Sequence, residues 1–198
     1  MSTDPAVREI GPDEWARASP VAARAFFDEE FVRAMLGDAP LRRWVDVHRL
    51  YATEPYDASA VHLAAYIDDV PVGLVRASPR GSCHVCLHID ADSPPDDQLQ
   101  AGEWAFEVEV QRTHRAQPEH AWISRVAVEP QLQGSGIGVL LVDAARARLT
   151  EDGDGPVLLE CLASREGFYR SRGFERVDEV VDPYADTTYL MRASTSGA

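Results

Sequence analysis

Six consecutive residues, Gln133-Gly134-Ser135-Gly136-Ile137-Gly138, have the composition of an anion holder. Before them, Ile123 to Val128 reads as a short buried strand with the β-branched Val126 and Val128 on one face, and Glu129-Pro130 ends it. After them the period changes: Ile137, Leu140, Leu141, Ala144 and Ala145 recur at helical spacing, Arg146 and Arg148 suit the last turn, and Gly153 and Pro156 stop the helix. A strand that turns through glycines into a helix leaves amide donors without internal partners. Together with the positive end of the helix dipole they favour phosphate.

Three phosphate motifs compete for the glycine stretch. The Walker loop needs a Lys after its last glycine, and all 19 basic residues of this chain are Arg. The dinucleotide fingerprint would place Val139 where a small residue must pack. What remains is Gln133-x-x-Gly136-x-Gly138, which fits Q/R-x-x-G-x-G/A, and Tyr169-x-x-x-Gly173-Phe174 lies downstream. On these two motifs the chain resembles the GNAT superfamily of acyl-CoA N-acyltransferases. Element order agrees along the whole chain, but specific motifs are confined to residues 123–174.

The resemblance implies an α/β (α+β) fold: a central mixed, mostly antiparallel sheet of about six to seven strands, splayed parallel fourth and fifth strands, and flanking helices. It implies acetyl-CoA as cosubstrate, its pantetheine arm along Val126, Ala127 and Val128. The pyrophosphate would lie on the main-chain amides of Gly134, Gly136 and Gly138, flanked by Gln133, Ser135, Ile137 and Val139. Tyr169 would protonate the departing thiolate, and its hydroxyl would also border the cofactor sulfur. Glu160 is expected to be catalytic as the base, with His120, Ser124 and Glu109 as other candidates and a water relay open to any of them. The family's usual Asn after the fifth strand is missing, and Ser164 is the nearest polar replacement. The reaction expected is acetyl transfer to a primary amine of a small molecule or peptide. An alternative keeps the fold and the acyl-CoA but drops turnover, leaving a sensor or scaffold; Tyr169 and the intact loop favour catalysis.

Ser82-Cys83-His84-Val85-Cys86-Leu87-His88 invites a zinc reading. As a strand it would put His84, Cys86 and His88 on one face and Cys83 on the other, so only three ligands converge. With no second ligand pair recognised downstream, an edge strand with a polar outer face and no metal is expected.

Net charge of −14 disfavours nucleic acid and also repels the polyanionic coenzyme at long range, so its binding must rest on short-range donors. A cationic or neutral amine is the natural second substrate. Three cysteines argue against a disulfide framework. No apolar run reaches the roughly 20 residues that span a bilayer, and Met-Ser-Thr-Asp-Pro carries no secretion signal, so a cytoplasmic location and no membrane partner are expected. Strand edges and aromatics permit a homodimer without requiring one.

At 198 residues, a single domain over 1–193 with a flexible tail at 194–198 is expected. Strands are read at Ala6 to Ile10, Ala60 to Ile67 and Val70 to Ala77, the last two joined by an Asp68-Asp69 turn. Gly73 suggests a bulge or close approach. Ser19 is read as an N-cap before Pro20, and Leu41, Trp44, Val45, His48 and Tyr51 as one packed helical face. Asp90 to Gln98 reads as a loop. From Gln98 to about Arg115 the even spacing of Trp104, Phe106, Val108 and Val110 fits a strand equally well, and the family's element order favours a helix. Pro156 to Leu162, Phe174 to Val181 and Thr187 to Arg192 complete the strands.

Overall fold

The computed structural model describes residues 4–151, 153, 155–184 and 187–193, so the expected tail at 194–198 lies outside the described residues. The chain forms two compact units: residues up to Ala77 with Ile123–Arg148, and Ser78–Trp122 with the residues from Leu149 onward.

The first unit opens with β1 (Ala6–Glu9) and four short helices, α1 (Pro12–Ala18), α2 (Pro20–Phe26), α3 (Glu30–Leu36) and α4 (Pro40–Val47), α4 running into a wider π turn at His48–Ala52. Proline begins α1, α2 and α4, where its missing N–H would have no helical partner anyway. The hairpin of β2 (Val61–Ile67) and β3 (Val70–Ser78) follows, antiparallel, and β1 pairs antiparallel with β2. Asp68 and Asp69 turn it with φ of 47° and 61°, as a tight two-residue loop requires. Both halves of the Gly73 expectation hold. Ala65 faces Gly73 but Tyr66 faces Pro71, so Val72 is the extra residue of a bulge. A Cβ on Gly73 would lie 2.8 Å from Leu141 Cδ1 and 3.2 Å from the Ala127 carbonyl.

In the second unit α5 (His84–His88) and α6 (Gln98–Arg115) precede β4 (Ala121–Val128), whose later residues belong to the first unit. The helix α7 (Ile137–Glu151) leads on to β5 (Val157–Leu162), α8 (Glu166–Arg170), β6 (Glu175–Val180) and β7 (Thr188–Ala193). The expected β–α–β crossover is present: β5 runs parallel to β4 through Ala121–Val157 and Trp122–Leu158. β7 lies between β5 and β6, antiparallel to both. The fold is thus mixed α/β, with seven strands among the described residues and flanking helices, as expected. Val85, Val110, Trp122, Leu158, Val180 and Leu190 form the core of this unit. No helix among the described residues is long and apolar enough to cross a membrane.

Three local expectations are overturned. Ser19 does not cap α2: its own backbone is helical and its hydroxyl donates to the Ala52 carbonyl at 2.9 Å. α4 leaves Leu41 84% and Val45 55% exposed, while Arg43, Asp46 and Val47 are buried. Arg43 earns that place by donating to the carbonyls of Phe27 and Gly37, each at 3.0 Å, and stacking on the Phe27 ring. Hydrogen bonding at a helix end outweighs periodicity here. Finally, the Cys83–His88 stretch is not an edge strand, because His84–His88 is helical.

Candidate cofactor site

Within the first unit, β4 delivers the chain to the glycine stretch through an anchored corner. Glu129 donates its N–H to the Val72 carbonyl at 2.9 Å, and its carboxylate accepts from Arg24 Nε at 2.9 Å and Nη2 at 2.5 Å. Paired contacts to a planar guanidinium fix orientation as well as position. A short 3₁₀ turn at Pro130–Leu132 follows, and the Ser135 hydroxyl donates to the Leu132 carbonyl at 2.6 Å.

Gly134 and Gly136 then take φ of +82° and +92°, backbone that L side chains rarely adopt. Open space lies where a Cβ would project from either. The first helical bonds of α7 run from the amides of Val139 and Leu140 to the Gly136 carbonyl, at 3.0 and 3.2 Å. The amides of Ile137 and Gly138 therefore belong to the donors that a helix start leaves over. Gln133 to Gly136 are exposed, whereas Ile137 is buried and anchors the loop from beneath. Gln133 donates its side-chain amide to the Val128 carbonyl at 3.3 Å. Val126 and Val128 are half-buried on one face of β4, and Ala127 is buried on the other. Exposed donors over a buried hydrophobic foot suit a diphosphate.

The remaining expected residues lie in the second unit. Ser164 is exposed on the turn Ala163–Arg165, directly after β5. Tyr169 is half-buried on α8, its ring edge-on to Phe168 and to Phe174. Its carbonyl accepts from the Phe174 amide at 3.1 Å, and Gly173 at φ +79° makes that return possible. This is the physical content of Tyr-x-x-x-Gly-Phe: the glycine turns the chain from α8 into β6.

Glu160 has other engagements. One carboxylate oxygen lies 2.5 Å from His114 Nε2, and the other accepts from the Trp122 indole at 2.8 Å. Its side chain is only 9% exposed. Both carboxylate oxygens are thus already engaged. Among the other base candidates, Ser124 donates to the Arg76 carbonyl at 3.1 Å and Glu109 accepts from Arg112 at 2.9 Å. His120 is buried, its Nδ1 2.7 Å from the Pro118 carbonyl; burial pushes its pKa down, and that carbonyl offsets only part of the effect.

Glycine loop, mixed sheet and Tyr-x-x-x-Gly-Phe turn define an acyl-CoA-type acetyltransferase fold. The profile of the Acetyltransferase (GNAT) family matches residues 27–174, and the chain belongs to that family. No curated protein matches the sequence. Among solved structures, a Corynebacterium glutamicum protein described as histone acetyltransferase HPA2 and related acetyltransferase is 17% identical. It superposes with a TM-score of 0.63, covering 98% of each chain. The ribosomal-protein-S18-alanine N-acetyltransferase of Escherichia coli gives 13% identity and a TM-score of 0.55 over 98% of each chain. A GNAT acetyltransferase from Brucella melitensis, solved with acetyl-CoA, gives 18% and 0.54, covering 99% of this chain and 91% of its own. At such identities the likeness is one of fold.

Proposed function

We propose that this protein transfers an acetyl group from acetyl-CoA to a primary amine of a small molecule or peptide. The observation that carries the reading is the entry to α7, where two glycines at positive φ precede first-turn amides in an exposed loop. Those amides hold the diphosphate, and the β4 backbone at Val126 to Val128 guides the pantetheine arm. Orientation of thioester and amine supplies much of the rate. The amine nitrogen attacks the thioester carbon, a tetrahedral oxyanion forms, and a backbone N–H of β4 stabilises it. The C–S bond then breaks, the thiolate takes a proton from Tyr169, and the new ammonium loses one to a base or water. Tyr169 enters on its place in the Tyr-x-x-x-Gly-Phe motif. The net charge of −14 supports a cationic or neutral acceptor.

Calorimetry with acetyl-CoA tests the binding, and thiol release across a panel of amines tests the turnover. Saturable heat with amine-dependent thiol release, much reduced in Tyr169→Phe, is expected. No heat with acetyl-CoA overturns the reading. Tight binding with no turnover on any amine leaves an acyl-CoA sensor.

A further inference from the structure

The second unit brings together four side chains, Cys83, Cys86, His114 and His120, whose donor atoms all lie within 4.8 Å of one another. We propose that they bind a structural zinc ion, with Cys83 Sγ, Cys86 Sγ, His114 Nδ1 and His120 Nε2 as its four ligands.

The local structure explains the convergence. Cys83 precedes α5 and accepts the amides of Cys86 and Leu87 at its carbonyl, each at 3.1 Å. That helical turn puts positions i and i+3 on one side, so both sulfurs face the same way. Gln111 of α6 is buried and donates to the carbonyls of Val85 and Ile89, each at 2.6 Å, which docks α5 on α6. His114 stands in the last turn of α6 and His120 just before β4. His114 Nδ1 lies 3.3 Å from Cys83 Sγ and 3.0 Å from His120 Nε2. A tetrahedral ion with bonds of about 2.3 Å to sulfur and about 2.0 Å to nitrogen holds its ligand atoms about 3.3–3.8 Å apart. Two separations in the cluster, 3.3 and 3.0 Å, lie close to that range, and all four atoms fall within 4.8 Å.

The outer shell is complete as well. Metal-binding imidazoles characteristically place their second nitrogen against a carboxylate or carbonyl, which sets tautomer and orientation. His114 Nε2 meets Glu160 at 2.5 Å, and His120 Nδ1 meets the Pro118 carbonyl at 2.7 Å. In both rings the nitrogen turned inward is the one left for a ligand bond.

Ligand chemistry selects the ion. Two thiols and two imidazoles suit zinc and exclude magnesium or calcium, which take oxygen. Four protein ligands, three of them buried, leave no open position for a substrate, so the site is structural. It ties α5, the end of α6 and the start of β4 together across the 31 positions between Cys83 and His114.

The full-length protein, purified without chelator, tests this by elemental analysis. About one zinc per chain is expected, lost at least about tenfold in Cys86→Ser and in His120→Ala, and retained in a His84→Ala/His88→Ala control. Because a ligand variant can fail to fold, cobalt(II) exchange into the wild-type chain gives an independent readout. Thiolate-to-cobalt charge transfer with intense tetrahedral d–d bands supports the site. Metal-free protein without those bands overturns it, as does a Cys83–Cys86 disulfide in its place.

Discussion

The glycine loop and the Cys–His cluster are built by opposite means. The loop is one run of backbone, Gln133 to Gly138, whose ligand-facing donors are main-chain amides, while the side chains of Gln133, Ser135 and Ile137 brace it. The cluster is made of side chains from α5, α6 and the lead into β4, and its backbone serves only to aim them. A backbone site needs its residues adjacent, because positive φ and the start of a helix are properties of consecutive positions. A side-chain site needs only convergence in space. The first kind can be read along a sequence; the second becomes visible once the helices are placed.

The contrast can be broken by crossing the two readouts. Gly136→Asp puts an L-residue at φ +92° and a carboxylate where the diphosphate would lie. Acetyl-CoA affinity is expected to fall by at least about 100-fold, some 2.7 kcal/mol, with zinc content unchanged. Calorimetry and elemental analysis on the same preparation check both halves. The reciprocal change, Glu160→Gln, removes the charge behind His114 and is expected to weaken metal retention about 10–100-fold in a chelator competition. Acetyl-CoA binding should hold. If amine-dependent thiol release fell and metal retention did not, Glu160 would belong to the reaction instead.

Smaller effects sharpen the same distinction. Gly73→Ala forces a Cβ to 2.8 Å from Leu141, beneath the first turn of α7, and is expected to cost about 1–3 kcal/mol by thermal unfolding. Acetyl-CoA should restore part of that loss, since a ligand of the native state stabilises it. Smallest is Asp69→Gly. It relieves a φ of 61° in the β2–β3 turn, far in sequence from either site, and should raise stability by about 0.5 kcal/mol with both ligands unaffected.

How much could be read beforehand follows from the same contrast. The strand, glycines and helix from Ile123 to Arg148 were legible because each is a local pattern. The Gly73 bulge and the Asp68-Asp69 turn were legible for that reason too. The cluster was half legible. Cys83 and Cys86 stand at C-x₂-C spacing, and His114 and His120, six positions apart, fall within the H-x₃₋₅-H range of zinc sites. Two things hid them. Alternation of His84, Cys86 and His88 imitates a strand, and a long stretch separates the two ligand pairs. The exposure of Leu41 and Val45 on α4 was hidden by a different cause. Arg43 is held inside by the Phe27 and Gly37 carbonyls, and no hydrophobic period reports where another helix leaves its carbonyls.

Trp122 has a use beyond packing. Its indole is tethered to Glu160, and its ring meets His114 edge-on with centroids 5.3 Å apart. Light emitted from that ring depends on the charge and bonding of the imidazole beside it. Filling or stripping the proposed centre should change its brightness, an optical gauge of metal occupancy with no label attached.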